Sequence, residues 1–252
     1  MIGGVDFSKY QASVTVDAIR QALAAQGPVV TVQAWRNDGI NEHVGGQLAR
    51  AKEAGCRDLS IYILPNYEID KHGSLFVREA LGAVSANVDP RELLFVAVDV
   101  EPYPSMNRAS LPWRMLRVME MLDAVAGAGL HGIVYSNKGG WGAVMNGSPQ
   151  DWGLVVNRAR LWVASLDHTP TITDEAAIAS PWPGWAVVGE QYEVGAWGGF
   201  SMDQNVWLDE FINERRRERD ARLAPPPPPP PAPADPCSEA LARLERIRQI
   251  VR

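Results

Sequence analysis

The feature that most constrains the fold is a series of short apolar runs that alternate with helical patterns from residue 2 to residue 208. Eight runs read as strands: IGGVDF, VVTVQA, LSIYILP, LLFVAVDVE, GIVYSN, LWVASL, WAVVGEQY and FSMDQNVW. Strands that are apolar throughout and separated by helices indicate a parallel sheet covered on both faces. We therefore expect an α/β fold, a modified TIM-like (β/α) barrel of about eight strands that lacks some helices near its end. An open doubly wound sheet is the alternative.

The composition and charge fit a soluble globular chain with one large or two small cores. The chain has 252 residues, of which 46% are hydrophobic and 21% charged, and its net charge is −6. No basic stripe suited to nucleic acid is present. The arginines at 215–217 and Arg219 alternate with acidic residues, which predicts a solvated, salt-bridged helix face. We expect no nucleic-acid partner.

A proline run divides the chain into three parts. Residues 224–236 read APPPPPPPAPADP, which predicts a stiff polyproline II linker after a domain spanning residues 1–223. In the segment 237–252, Ala240, Leu244, Ile247 and Val251 follow helical spacing. Because an isolated helix of this length is marginal in water, we expect it to dock on a partner or self-associate. A frayed tail without a partner is the alternative.

The N-terminus carries no sign of an export signal. It reads MIGGVD, with neither a basic segment nor an apolar one, and no run of 18 apolar residues occurs in the chain. The sequence therefore predicts no signal peptide and no membrane span.

Carboxylates recur where predicted strands end. Asp6 ends the first strand, Asp99 and Glu101 end the fourth, and Asp203 lies in the eighth. Active sites of parallel barrels form at the carboxyl ends of the strands. These four side chains are therefore expected to meet at one mouth of the barrel.

Asp99 and Glu101 should point to the same side of their strand, because side chains alternate. Repulsion and partial burial would push their pKa values apart and leave one protonated and one ionised. Cleavage of a glycosidic bond requires such a pair. The alternative is that Asp99 caps the following loop while Glu101 is solvated.

Other chemistries find little support in the sequence. A carboxylate cluster could bind Mg²⁺ or Ca²⁺, but the four histidines show no zinc-ligand spacing, and no phosphate-binding or dinucleotide motif occurs. Ser136 lacks the sequence context of a nucleophile. We expect no metal and no cofactor.

Several segments, taken in order, resemble the glycoside hydrolase family 25 lysozymes, the Chalaropsis-type muramidases. GVDFSKYQ resembles the opening motif of that family, and FVAVDVE is similar to its D-x-E strand. GIVYSNKGGW, LWVAS and EQYEVGAWGGFSMDQNVW then follow in the order of the family. The resemblance covers about residues 2 to 208, and Glu190 stands where the family usually has Trp.

The resemblance implies hydrolysis of the β-1,4 bond between N-acetylmuramic acid and N-acetylglucosamine in peptidoglycan. It implies that Glu101 is the general acid and Asp99 the second catalytic carboxylate, either as nucleophile or by orienting the 2-acetamido group of the substrate. Asp6 and Asp203 match the supporting carboxylates. The resemblance places five more residues on the substrate groove: Tyr62, Tyr135, Gln191, Tyr192 and, as a stacking platform, Trp197.

Two functional classes stay open at this point. The first is an active muramidase, which the missing signal and the stiff linker would suit as a phage-type lysin. It would be made in the host cytoplasm and act on the bacterial wall, in solution or carried on a virion. The second is a tail structural or wall-binding module with a lysozyme-like fold and little catalysis. Partners would be peptidoglycan, and virion tail proteins or a second copy through the C-terminal helix.

Overall fold

The computed structural model describes residues 1–67, 69–102, 111–145, 149–172, 179–182, 184–226, 244–246 and 248–249. The predicted linker lies outside the described residues from position 227 onward, and so does most of the predicted C-terminal helix. The division into domains at residues 223 and 236 therefore stays a prediction.

Nine strands and seven α-helices are defined in the described ranges, together with 3₁₀ turns at Lys9–Gln11 and Pro90–Glu92. The strands are β1 (Ile2–Phe7), β2 (Val29–Arg36), β3 (Gly39–Ile40), β4 (Asp58–Ile63), β5 (Leu93–Asp99), β6 (Gly132–Ser136), β7 (Arg160–Ala164), β8 (Val187–Trp197) and β9 (Phe200–Trp207). The helices are α1 (Val16–Gln26), α2 (Val44–Glu53), α3 (Gly73–Ser85), α4 (Leu111–Gly127), α5 (Lys138–Val144), α6 (Pro149–Val156) and α7 (Asp209–Leu223). Within these ranges, no helix has the length and apolar character needed to cross a bilayer.

Eight of the strands close into a barrel. The order around it is β1-β9-β8-β7-β6-β5-β4-β2, and pairing of β1 with β2 completes the ring. The two-residue β3 adds only a short hairpin to the edge of β2. The predicted barrel of about eight strands is thus confirmed, and the open doubly wound alternative is wrong.

The prediction of an all-parallel sheet fails at the last strand. β9 runs antiparallel to both of its neighbours, β8 and β1. Only Gly198 and Gly199 connect β8 to β9, with φ of 55° and 81°. A two-residue connection can only reverse the chain, because a parallel return needs a crossover of a dozen or more residues. Glycines tolerate these positive φ values without strain.

Alternation along the strands builds two separate cores. On β5, Val96 and Val98 pack outward in the large cluster shared with the helices. Phe95 and Ala97, from the other face of the strand, belong to a second cluster inside the barrel. Side chains at inward positions therefore fill the barrel, while those at outward positions pack against the surrounding helices.

Aromatic side chains close the amino-terminal end of the barrel. Trp207 is fully buried, with ring centroids 4.9 Å from Phe95 and 6.2 Å from Phe211 of α7. Gly189 is required beneath it, since an added Cβ would lie 2.3 Å from the Trp207 ring. We call this layer the floor of the barrel.

Ion pairs hold α7 against the barrel. Asp58, whose side chain is 4% exposed, accepts Arg216 at 2.5 Å and Arg219 at 3.2 Å. Arg215 is buried and pairs with Glu214 and Glu218, both at 2.8 Å. The prediction that the arginine run is a solvated face is therefore wrong at Arg215, because this side chain turns toward the base of the barrel.

Candidate active site

The four strand-end carboxylates lie at the opposite end of the barrel, which we call the mouth. Asp6 is near the end of β1, Asp99 ends β5, and Glu101 follows two residues later. Asp6 and Asp203 are direct partners in the antiparallel pair of β1 and β9. Directly opposed residues project from the same face of such a pair, so these two carboxylates point together.

A cavity of about 350 Å³ opens at the mouth. Its lining includes all four carboxylates. Tyr62, Tyr135 and Gln191, three of the predicted substrate contacts, also line it. The remaining lining residues are Ser8, Tyr10, Gln33, Arg36, Asn37, Leu64, Pro102 and Trp162.

Asp6 is held at the back of the cavity by a chain of hydrogen bonds. Its side chain is buried and accepts from Asn205 Nδ2 at 2.7 Å. Asn205 Oδ1 in turn accepts from Trp162 Nε1 at 3.0 Å. Burial, and then the charge of Asp203, hold the pKa of Asp6 well above its usual range, although the hydrogen bond from Asn205 opposes the shift.

Asp99 is a buried carboxyl group with one unpaired oxygen. It is 3% exposed, and its Oδ1 has no hydrogen-bond partner within the described part of the chain. Burial, followed by the charges of Glu101 and Asp6, holds the pKa of Asp99 well above its usual range. A ligand that donates a hydrogen bond to this oxygen would relieve an unpaired buried acceptor.

Glu101 and Asp203 lie nearer the solvent. Burial raises the pKa of Glu101, and the charge of Asp203 raises it further. Burial also raises the pKa of Asp203, while a hydrogen bond from Gln191 opposes that shift. Four carboxyl groups in one cavity cannot all ionise at low cost, so the mouth retains protons that isolated carboxyl groups would release.

Three aromatic rings form one wall of the cavity. The Trp162 centroid lies 4.6 Å from that of Tyr135 and 6.4 Å from that of Tyr62, both in edge contact. The Tyr135 hydroxyl donates to Gln191 Oε1. Burial, and then the nearby carboxylates, hold the pKa values of both tyrosines well above the usual range, so both stay protonated as donors. Such a wall suits a sugar ring.

Two predicted substrate contacts lie away from this cavity. Gln191 points inward, so Tyr192 turns to the outer face, where its hydroxyl donates to Gln26 Oε1 at 2.6 Å. Trp197 is paired with Phe200 at the tip of the β8–β9 hairpin and packs against the outer core. Neither Tyr192 nor Trp197 lines this cavity, and their placement on the substrate groove stays a prediction.

Glu190 also points away from the mouth. It is fully buried on the outer face of β8, where its carboxylate accepts from the Ser165 hydroxyl. The residue that replaces the usual Trp therefore adds no charge to the cavity.

The sequence prediction did not include several residues that line or support the site. Trp162 was indistinguishable from a core tryptophan by sequence. Two others carried a usable signal: Asn205 follows Asp203 at a spacing of two, and Gln33 interrupts the apolar strand β2, so alternation places both inside the barrel. Tyr10 lies in a one-turn 3₁₀ helix after β1, and Arg36 is the last residue of β2, beyond the irregularity at Gln33–Trp35, so strand alternation did not place either of them.

The described residues offer little to a metal ion. Nowhere in these ranges do three or more His, Cys, Asp or Glu side chains form a group able to hold one. The chemistry that the mouth itself supports is proton transfer between carboxyl groups of unequal acidity beside an aromatic wall.

Comparison with known proteins gave matches among solved structures only. No protein-family model and no curated protein sequence matches the chain. A family 25 glycosyl hydrolase from Bacillus anthracis aligns with a TM-score of 0.60 at 18% identity, covering 84% of this chain and 93% of that one. A family 25 lysozyme from Aspergillus fumigatus aligns with a TM-score of 0.64 at 17% identity, covering 85% and 97%.

A third similar structure comes from a virus. The catalytic domain of endolysin ply40 from bacteriophage P40 of Listeria monocytogenes aligns with a TM-score of 0.56 at 14% identity, covering 86% of this chain and 97% of that one. At these identities the likeness concerns the backbone. The chain has the barrel fold of the family 25 glycosyl hydrolases.

Proposed function

We propose that this protein is a glycoside hydrolase that cleaves the β-1,4 bond between N-acetylmuramic acid and N-acetylglucosamine in peptidoglycan. The observation that carries the proposal is the meeting of Asp6, Asp99, Glu101 and Asp203 in one cavity at the barrel mouth. The similar structures, described as lysozymes, muramidases and endolysins, support it through their shared fold.

In this proposal Glu101 is the general acid. It lies nearer the solvent than Asp99, within reach of a bond that crosses the cavity. Its raised pKa keeps it protonated at a pH where an ordinary glutamate has ionised. It would donate its proton to the departing glycosidic oxygen as the oxocarbenium-like transition state forms.

Asp99 would act on the 2-acetamido group of the substrate. Its Oδ1 is buried and has no partner in the described chain, so an amide N–H would supply the missing donor. A hydrogen bond to the carboxylate favours the charged form and lowers the pKa of Asp99. Substrate binding would therefore ionise Asp99 and orient the acetamido oxygen toward the anomeric carbon. This favours the orienting role over direct attack by Asp99.

Asp6 and Asp203 would set the electrostatic field. The charge of Asp203 raises the pKa of Glu101, which maintains the acid form. Tyr62, Tyr135 and Trp162 would contact the sugar rings, since they form the aromatic wall beside the acids.

The test is clearing of purified cell walls by the wild type and by Glu101→Gln. Loss of a general acid lowers the rate by about 10²–10⁴-fold. Glu193→Gln is the matched control, because Glu193 is half-exposed on β8 and faces His168 rather than the cavity. Released reducing ends should be muramic acid. Clearing by Glu101→Gln at the wild-type rate would refute the proposal, and binding without clearing by any variant would indicate a wall-binding module.

We further propose that the chain acts on the wall as a phage-type lysin or virion component, attached to a partner or a second copy by residues 237–252. The apolar stripe of that segment and the stiffness of a proline run support attachment. Particle mass should fall to that of a monomer, or a partner should be lost, when residues 224–252 are removed. An unchanged mass together with unchanged partner binding would exclude this role.

A further inference from the structure

The cavity that holds four acids also contains one cation. Arg36, at the end of β2, is the single Lys or Arg among the residues that line it in the described chain. An anionic substituent on a bound glycan would be repelled by the carboxylates. Among the described residues of the lining, Arg36 is therefore the one cation that would favour negative charge.

The guanidinium of Arg36 is positioned by an aromatic ring and forms no ion pair with the described residues. It lies over the Tyr10 ring, 4.6 Å from the centroid, and Tyr10 is 68% exposed at the rim. The neighbouring Asp38 is already engaged by Lys9 Nζ at 2.5 Å. In the described part of the chain, no carboxylate lies within ion-pair distance of Arg36 and no hydrogen-bond acceptor takes its N–H groups.

The next residue, Asn37, adds a hydrogen-bond acceptor that has no partner among the described residues. Asn37 also lines the cavity, and its Oδ1 is buried with no hydrogen-bond partner among the described residues. A positive donor beside an unpaired amide acceptor is complementary to a group that carries both a carboxylate and an N–H. A peptide or amino-acyl substituent has both.

A rigid frame supports this part of the rim. Gln47, fully buried, donates to the carbonyl oxygens of Ser8 at 3.0 Å and Gln11 at 3.1 Å. Asn41, also buried, donates to Gln47 Oε1 at 2.8 Å and to the Gln33 carbonyl at 2.6 Å. The turn bearing Tyr10 and the strand bearing Arg36 are thereby joined, so the pair is held in place before any ligand arrives.

We infer that Arg36 and Asn37 form a subsite for the carboxylate borne by the lactyl group of muramic acid or by the peptide attached to it. This rests on the proposed function and deepens it. The guanidinium would pair with the carboxylate, and Asn37 would accept from a peptide N–H. The subsite would distinguish muramic-acid-containing glycans from chitin, which carries acetamido groups but no carboxylate.

Binding is measured apart from hydrolysis, so that failure of the subsite and failure of the proposed activity are separate results. The probes are a chitin tetrasaccharide, a peptide-free muramyl glycan tetrasaccharide and the same glycan with its peptides. The proteins are the full chain, Arg36→Gln, Arg36→Lys and the control Arg78→Gln, which removes one exposed charge from α3.

We expect Arg36→Gln to bind the carboxylate-bearing probes about tenfold more weakly, as for a lost charge-assisted hydrogen bond, with chitin binding unchanged. Arg36→Lys should lose only part of the affinity for these probes, and Arg78→Gln should lose none of it. If Arg36→Gln weakens binding of the peptide-free glycan, the ligand of Arg36 is the lactyl carboxylate. If it weakens binding only of the glycan with peptides, the ligand is the peptide carboxylate. Equal loss on all three probes, loss on none, or no binding of any probe by the wild type would overturn the inference.

Discussion

The floor and the mouth of the barrel are built by the same strands and yet have opposite character. β9 contributes Trp207 to the floor and Asp203 to the mouth, and β5 contributes Phe95 and Asp99. In both strands the two residues are four positions apart and point inward. Alternation therefore delivers both layers, and residue type alone decides that one end is a packed core while the other is a charged cavity.

The two ends also contribute to stability with opposite sign. The floor buries tryptophan and phenylalanine rings, which stabilises the fold. At the mouth, every one of the four carboxyl groups has a raised pKa in the folded protein. The folded state thus holds these protons more tightly than the unfolded chain, so the cluster destabilises the protein increasingly as pH rises from the unfolded pKa values toward the folded ones.

The largest expected effect comes from breaking the floor. Trp207→Ala should lower the free energy of unfolding by about 3–5 kcal/mol, because the ring is fully buried against Phe95 and Phe211. Denaturant titration measures the change. Trp207→Phe should cost much less, since the indole N–H has no hydrogen-bond partner in the described chain and only volume is lost. A loss under about 1 kcal/mol for the alanine variant would show that the floor does not carry this stability.

A smaller effect of opposite sign is expected at the mouth. Asp99→Asn should raise the free energy of unfolding at pH 7 by about 1–3 kcal/mol, because it removes a buried carboxyl that lacks a partner. The pKa of Asp99 is raised in the folded state, so its destabilisation is absent below the unfolded pKa and grows with pH. The gain should therefore shrink as pH falls toward about 4.

Asp89→Asn sharpens this test, because the hydrogen bond from Arg91 holds the pKa of Asp89 below its usual range. Stability from Asp89 is present above its unfolded pKa and is lost as pH falls through the folded one, so this variant should not gain stability at pH 7. Thermal melts from pH 4 to pH 7 measure both variants. A stability gain for Asp99→Asn that does not vary with pH would contradict the linkage argument.

Much of the barrel could be predicted from the sequence because strand patterning is local. Apolar runs such as LLFVAVD are unambiguous, and the polar positions at their ends identify the mouth without any knowledge of packing. The antiparallel return of β9 was not predicted, because strand direction depends on the length of one connection. Gly198 and Gly199 were the available signal, and a pair of glycines also occurs in ordinary loops.

The candidate site divides in the same way. Asp6, Asp99, Glu101 and Asp203 follow from strand positions, whereas Tyr192, which only the resemblance placed on the groove, lies on the outer face of β8. Gln191 and Tyr192 are adjacent, so only one can face the cavity, and the motif does not say which. Arg36 at the end of β2 meets Tyr10 in the short helix after β1, and a contact between parts of the chain so far apart in sequence is visible only in three dimensions.

The smallest expected effect lies within the mouth itself, between Asp203 and Glu101. The negative charge of Asp203 raises the pKa of Glu101, so Asp203→Asn should lower it. If Glu101 must be protonated to act, the alkaline limb of kcat/KM should move to lower pH, by about one unit or less. Asp123→Asn, which removes an exposed carboxylate paired with Arg158, should leave the limb in place. An unmoved limb, or one displaced to higher pH, would mean that Asp203 does not maintain the acid form of Glu101, whatever happens to the maximal rate.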